Sequence, residues 1–211
     1  MTTAVILFSG GLDSTTCLAI AKNKHSKVIA VSFNYGQKHC VEIANAKKLT
    51  KKYQVEHIVL DLSVIGGSAL TCNEAEIPDF TGEAGIPSTY VPARNTIFIA
   101  HALSIAEMHS ADYIYLGVSA VDYSGYPDCR PEYIAAYQKL IDTAIVGRRI
   151  ELVTPLISLS KAETIKIGLD LGVDYSETIS CYRATEANKA CGTCDSCILR
   201  AKGFKELNDQ A

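Results

Sequence analysis

The sequence predicts an α/β fold: a doubly wound five-stranded parallel sheet in the order 3-2-1-4-5, followed by a small C-terminal segment organised by four cysteines. Three observations predict it. Short β-branched apolar runs alternate with longer helical stretches, the pattern of βαβ units joined by right-handed crossovers. The first run, Val5-Ile6-Leu7-Phe8, passes through Ser9-Gly10-Gly11 directly into a helix. Four of the eight cysteines crowd together near the C-terminus. A length of 211 residues suits one sizeable domain with a small appendage, placed at 1–175 and 176–211.

Each element has a local reason. Val5 to Phe8 reads as a strand buried on both faces. Asp13 and Ser14 are expected to cap and open a helix that runs to about Lys24. Lys27 to Phe33 is the second strand, Asn34-Tyr35-Gly36-Gln37 turns out of it, and a helix covers about His39 to Tyr53. Lys47, Lys48, Lys51 and Lys52 gather near one side of that helix, as a solvated face does. His57 to Asp61 is the third strand. From Leu62 to Ala93 glycines, prolines and small polar residues replace the periodic pattern. So long an irregular stretch inside a compact domain reads as a lid or binding loop, with a short helix near Val64–Leu70 as an option. Thr96 to Met108 is a nearly all-apolar helix, in which His101 reads as a packed, hydrogen-bonded residue. Asp112 to Leu116 and Ile150 to Val153 are the last two strands. The helix between them starts at Pro131, a residue suited to the first helical position, and runs to Val146. Ser160 and Glu163 then form a capping box for one more helix.

Composition narrows the class. With 48% hydrophobic and 20% charged residues the chain has the profile of a soluble globular protein. A formal net charge of −3 supplies no global basic field for gripping a nucleic-acid backbone. No apolar run approaches the roughly 18 residues of a membrane span. Met1-Thr2-Thr3 leads into the first strand without a basic or apolar leader, so the expected location is cytoplasmic. Small molecules, and neither nucleic acid nor membrane, are the expected partners.

The chemistry concentrates in three places. In the first, a buried strand feeds a glycine turn and a helix N-terminus, where backbone N–H groups and the helix dipole favour an anion. Ser9, Ser14 and Thr15 add hydroxyl donors, and Asp13 an acid. An ordinary βα turn would also use glycine, but it would not need so many hydroxyls in succession. The stretch contains neither G-x-x-x-x-G-K-[ST] nor G-x-G-x-x-G, so it is not a Walker loop or a dinucleotide fingerprint.

The second place is Gly117 to Arg130, beyond the C-terminal end of the fourth strand, where open α/β sheets bind ligands. Asp122, Asp128, Arg130 and two tyrosines there suit a polar, planar ligand. The alternative is that Asp128 and Arg130 pair with each other at the start of the Pro131 helix. Lys161, on a loop after a strand, falls on the same side of the sheet.

The third is Cys181 with Cys191-Gly192-Thr193-Cys194-Asp195-Ser196-Cys197. Without an export signal, clustered thiols read as metal ligands and not as disulfides. Structural zinc is favoured over an iron–sulfur cluster, because ferredoxin-type runs place a fourth cysteine and a proline where Ile198-Leu199-Arg200-Ala201 stands here. A closed four-thiolate site has no open position, so the ion would staple the segment.

The Ser9-Gly10-Gly11-Leu12-Asp13-Ser14 stretch resembles the PP-loop of the N-type ATP pyrophosphatases. Phe33-Asn34-Tyr35-Gly36-Gln37, Tyr90-Val91-Pro92-Ala93-Arg94-Asn95, the Asp-Ser-Gly-Tyr-Pro-Asp-Cys-Arg segment and the cysteine spacing extend the likeness. Over essentially its whole length the chain resembles the QueC family of 7-cyano-7-deazaguanine (preQ0) synthases. The resemblance implies an adenine-nucleotide-alpha-hydrolase-like sheet, a homodimer, and a ligase of queuosine biosynthesis. Such a ligase converts 7-carboxy-7-deazaguanine and ammonia to the nitrile through two adenylations by ATP, with Mg²⁺ and a structural Zn²⁺. By carry-over, Phe8, Ser9, Gly10, Gly11, Leu12, Asp13, Ser14, Thr15, Thr16 and Cys17 line the ATP site. Ser9, Gly10, Gly11, Ser14 and Thr15 lie on the phosphates, and Asp13 holds Mg²⁺ or orients the loop. Lys161 neutralises departing pyrophosphate. Arg94, Asn95, Asp122, Asp128 and Arg130 bind the deazapurine, a carboxylate on its guanidine-like edge and an arginine on its carboxylate. Ser9, Asp13, Ser14, Lys161 and Arg94 form the implied catalytic set, and Cys181, Cys191, Cys194 and Cys197 the metal set.

Two rivals stand beside this reading. A tRNA-thiolation enzyme would use the same adenylation but needs a basic surface and catalytic thiols, and Cys17, Cys40, Cys72 and Cys129 are scattered singly. A zinc-dependent nucleic-acid-binding module would not need an intact phosphate loop.

Overall fold

The structure, a computed structural model, describes residues 1–37, 41–62, 66–72, 75–80, 85–120, 126–184 and 189–209. Five strands form one parallel sheet: β1 (Thr3–Leu7), β2 (Lys27–Asn34), β3 (Glu56–Asp61), β4 (Tyr113–Tyr115) and β5 (Glu151–Val153), in the order β3-β2-β1-β4-β5. β1 is central, pairing Val5 with Ile29 of β2 and with Ile114 of β4. Its alternate residues serve two cores. Val5 and Leu7 face one side with α3 (Arg94–Met108) and α4 (Pro131–Ala144), while Ala4, Ile6 and Phe8 face the other with α1 (Leu12–Lys24) and α2 (Val41–Tyr53). A strand buried on both faces must be apolar at every position, which is why β1 and the middle of β2 show no polar–apolar alternation, as expected for β1. The edge strand β3 is half-exposed.

Several boundaries differ from the sequence-based expectation. The N-cap of α1 is Gly11, with no side-chain cap, and Asp13 and Ser14 lie inside the first turn. The reason is tertiary: the Ser180 hydroxyl accepts the Leu12 N–H at 3.0 Å, doing the work of a local cap. Between β3 and α3 the described residues contain no helix or strand, and residues 66–72 form turns that bury Ala69 and Leu70. The capping box of α5 (Lys161–Asp170) is present as expected, with both reciprocal bonds formed. The four lysines of α2 are exposed, and Lys48 and Lys52 both reach Glu177. His101 packs beside Phe33 at 6.2 Å between ring centroids but has no hydrogen bond among the described residues.

The largest departure is a helix that was not foreseen, α6 (Asp195–Asp209). It lies along α5, and its Phe204 and Leu207 pack against Leu12, Ile165, Val173 and Tyr175. The C-terminal segment meets the Ser9–Ser14 turn through the Ile179 N–H, which donates to the Gly10 carbonyl, and through Ser180, which accepts from Leu12. No helix among the described residues is long and apolar enough to cross a membrane.

Candidate functional site

A cavity of about 290 Å³ opens at the C-terminal ends of β1, β2 and β4 and has two chemically different ends. At the first end, Gly10 adopts φ +79°, and a Cβ there would lie 3.0 Å from the Ala46 nitrogen. Only glycine satisfies both the left-handed turn and the close approach. The turn is pinned from outside, because the Gly10 carbonyl accepts from Asn45 Nδ2 at 3.0 Å and from the Ile179 N–H at 3.2 Å. Ser9 Oγ and Ser14 Oγ lie 3.1 Å apart, and Ser9 Oγ accepts the Gly11 N–H. Both hydroxyls line the cavity. Lys161, at the first turn of α5, donates to Asp13 Oδ1 at 2.6 Å, and its side chain is only 11% exposed. Arg200 of α6 also reaches this end, anchored on Thr178 Oγ1 at 2.8 Å and the Tyr175 carbonyl at 2.6 Å. Burial lowers the pKa of its guanidinium, while the Cys197, Tyr175 and Asp13 side chains act the other way.

The second end is aromatic. Phe33 and Phe98 stack at 4.0 Å between centroids, and Tyr35 is held by Gln37, whose side chain accepts the Tyr35 N–H and donates to the Phe33 carbonyl. Arg94 lies 5.9 Å from the rings of both Tyr35 and Tyr126 and donates to the Tyr35 hydroxyl at 3.4 Å. Its backbone follows Ala93, a non-glycine residue at φ 55°. Conformations of that kind cluster at functional sites. Glu42 lines the same end, and burial pushes its carboxyl up to about 7 although Arg94 acts in the opposite direction.

Beside the aromatic end, Cys181, Cys191, Cys194 and Cys197 present sulfurs that all lie within 4.8 Å of one another. Around a tetrahedral ion with bonds of about 2.3 Å, sulfurs sit about 3.8 Å apart. The Cys191–Cys197 separation is 3.9 Å. Cys181 Sγ accepts backbone N–H bonds from Arg183 and Cys191, and Cys191 Sγ one from Cys194. Burial and the neighbouring Cys194 thiol push Cys197 up, a penalty that a bound cation would remove. The donor set fits a metal ion. Arg183 ties the same segment to the irregular stretch, donating to the Ile77 carbonyl, Asp79 and Thr193.

The residues expected at the nucleotide divide into two groups. Phe8, Ser9, Gly11, Leu12, Asp13 and Ser14 line the cavity. Gly10, Thr15, Thr16 and Cys17 do not: the Gly10 carbonyl is bonded to Asn45 and Ile179, and the other three fall on the buried side of α1, where Thr16 bonds Tyr175 and Thr15 and Cys17 are fully buried. Of the residues expected at the planar ligand, Arg94 and Asn95 line the cavity. Asp128 and Arg130 do not. Asp128 is buried and accepts the Asn95 backbone N–H at 3.1 Å, capping α3 from a distant loop, while Arg130 is exposed at the start of α4. Their mutual ion pair, the other option, does not form among the described residues. Asp122 lies outside the described residues.

Sequence reasoning missed Glu42, Ser180 and Arg200. Glu42 carries no local signal. Ser180 and Arg200 adjoin the cysteines, and the apolar spacing of Ile198, Leu199, Phe204 and Leu207 could have revealed the helix that carries Arg200.

Comparison with known proteins shows the family. A model of the family described as "Queuosine biosynthesis protein QueC" matches residues 3–208. A 7-cyano-7-deazaguanine synthase of Coxiella burnetii is 59% identical over 98% of this chain and 94% of its own. One from Saccharophagus degradans is 54% identical over 96% and 93%. Among solved structures, a predicted subunit of tRNA methyltransferase from Methanocaldococcus jannaschii has a similar fold, with TM-score 0.52 and 19% identity over 80% of this chain and 74% of that one.

Proposed function

This chain belongs to the QueC family of queuosine biosynthesis proteins, and from that premise we propose that it is the ATP-dependent ligase making 7-cyano-7-deazaguanine from 7-carboxy-7-deazaguanine and ammonia. The observation that carries the reading beyond family membership is the two-ended cavity. A phosphate-type loop with Lys161 stands at one end, and Arg94 among aromatic rings at the other.

A carboxylate is a poor electrophile, and adenylation removes that difficulty. A carboxylate oxygen of the substrate attacks the α-phosphorus of ATP, and pyrophosphate leaves. Ammonia attacks the acyl carbon of the adenylate, AMP leaves, and the nitrogen gives up a proton, which yields the amide. The amide oxygen attacks a second ATP in the same way. Loss of the remaining nitrogen protons and of AMP then gives the C≡N bond. In each round charge accumulates on the leaving pyrophosphate. The Ser9 and Ser14 hydroxyls and Lys161, gathered at the N-terminus of α1, would receive it, and preorganised charge stabilisation of this kind is usually the largest contribution a site makes. Asp13 would hold Mg²⁺ or, through its bond to Lys161, the loop. Mg²⁺ held there would supply positive charge that neutralises the phosphates. Arg94 would orient the substrate carboxylate towards the α-phosphorus, and the Phe33, Phe98, Tyr35 and Tyr126 rings would fix the plane of the bicycle.

In the four-cysteine site, zinc fits the compact sulfur set better than a multi-iron cluster, which must sit between its ligands and spread them. Residues 176–211 would then act as a stapled extension of the sheet domain, supplying Ser180 and Arg200 to the nucleotide end. Incubating the protein with 7-carboxy-7-deazaguanine, ATP, Mg²⁺ and ammonium, followed by mass spectrometry, tests the reading. Both the amide and the nitrile are expected, with AMP and pyrophosphate. Absence of the nitrile overturns it.

A further inference from the structure

The described residues that line the cavity include two acids, Asp13 and Glu42. Asp13 is taken by Lys161. Glu42 has no hydrogen bond or ion pair among the described residues, although it sits half-buried at the aromatic end. A carboxylate in that position without a partner destabilises the empty protein, and such an arrangement persists where a ligand completes it.

We propose that Glu42 is the specificity residue for the donor edge of the deazapurine, accepting its N1–H and exocyclic 2-amino group in a pair of parallel hydrogen bonds. This rests on the substrate assigned above. A 7-carboxy-7-deazaguanine carries a carboxylate on its five-membered ring and two adjacent N–H donors on its six-membered ring. A planar slot that grips it needs a cation at one end, a two-oxygen acceptor at the other, and flat apolar walls. Arg94, Glu42 and the Phe33–Phe98 stack with the Tyr35 and Tyr126 rings, all lining the aromatic end of the cavity, supply the cation, the acceptor and the walls. Arg94 and Glu42 form no ion pair with each other, so both side chains remain available to the ligand. Asp128 is committed to the N-terminus of α3 and does not line the cavity. The raised pKa of Glu42 agrees with a buried carboxyl that has no donor among the described residues; an arriving pair of N–H groups would favour its ionised form.

The test compares wild type with Glu42→Gln and Glu42→Asp on two substrates, 7-carboxy-7-deazaguanine and its analogue lacking the 2-amino group, at saturating ATP and ammonium. A site built to hydrogen-bond a polar group rejects the analogue that lacks it by several orders of magnitude, so wild type should prefer the full substrate in kcat/KM by at least about 10²-fold. Glu42→Gln presents a donor to a donor. It should lose about 10²-fold on the full substrate, under about threefold on the analogue, and nothing in the KM for ATP. Glu42→Asp should fall between them. Equal losses on both substrates, or unchanged discrimination, overturn the assignment of Glu42 alone. Wild-type enzyme that forms no nitrile from the full substrate overturns the substrate assignment, and the proposal with it.

Discussion

Gly203 does not line the cavity, yet the space it leaves decides where Lys161 can stand. A Cβ on Gly203 would lie 2.5 Å from Cγ and 2.8 Å from Cβ of Lys161, and 2.9 Å from Cδ1 of Ile165. Carbon atoms normally rest about 3.5–4.0 Å apart, so roughly 1 Å of separation must be found. Swinging the end of the lysine cannot provide it, because its Cβ is fixed to the α5 backbone. Helices α5 and α6 must therefore move apart. Overpacking of this kind costs about 1–3 kcal/mol, and alanine in place of a helical glycine returns about 1 kcal/mol, so the net loss of stability in Gly203→Ala should be at most about 2 kcal/mol. The effect on chemistry is larger. Lys161 would be shifted from its position 2.6 Å from Asp13, and loss of one preorganised group facing developing charge lowers kcat by about 10²-fold. Steady-state AMP formation would be measured for wild type, Gly203→Ala, Lys161→Ala and the double variant. Gly203→Ala should lose about 10²-fold, and on the Lys161→Ala background it should add nothing further. Wild-type kcat in Gly203→Ala, or losses that multiply in the double variant, would show that Gly203 does not position Lys161.

Other outcomes follow from the same geometry. Glu42 has its pKa raised from 4.5 to about 7, so the native state holds the proton more tightly than the unfolded chain does. Stability should therefore fall as pH rises from about 4.5 through about 7, and Glu42→Gln should stabilise the ligand-free protein by roughly 1–3 kcal/mol at pH 8 and by nothing at pH 4 in urea unfolding. Arg94→Ala should raise the KM for the carboxylate substrate by about 10–100-fold while leaving the KM for ATP unchanged, as loss of a charge-assisted bond requires. Cys194→Ala should abolish metal binding in elemental analysis and lower thermal stability by several kcal/mol, with zinc and not iron found in wild type. A Cβ at Gly117 would lie 3.2 Å from the backbone of Asp13 and Ser14, so Gly117→Ala should raise the KM for ATP by about tenfold through displacement of the phosphate loop.

Much of the fold was legible because its signals are local. The β1 run, the Ser9–Ser14 turn, the Ser160–Glu163 capping box and the cysteine spacing each fall within a few residues, and each appears where the sequence places it. The placements that depart from the local pattern share a different cause. Asp13 and Ser14 look like a helix cap because their side chains suit one, but Ser180 supplies the bond from 168 residues away. Asp128 and Arg130 look like a ligand-binding pair, but Asp128 is drawn to an N-terminus whose free N–H groups needed a partner. Thr15, Thr16 and Cys17 continue a phosphate-binding pattern in sequence while the helix turns them into the core.

Features set over a turn or a strand could be read from the sequence: the parallel sheet, the Ser9–Ser14 glycine turn, the capped helix and the thiol cluster. Only the tertiary structure decided which charges face one another across the cavity. The Lys161–Asp13 bond spans 148 residues, and Glu42 meets the field of Arg94 only because α2 and α3 both begin at the same end of the sheet. Hydrogen bonds and desolvation act through distances in space, and residues far apart in the chain have no local pattern to record them.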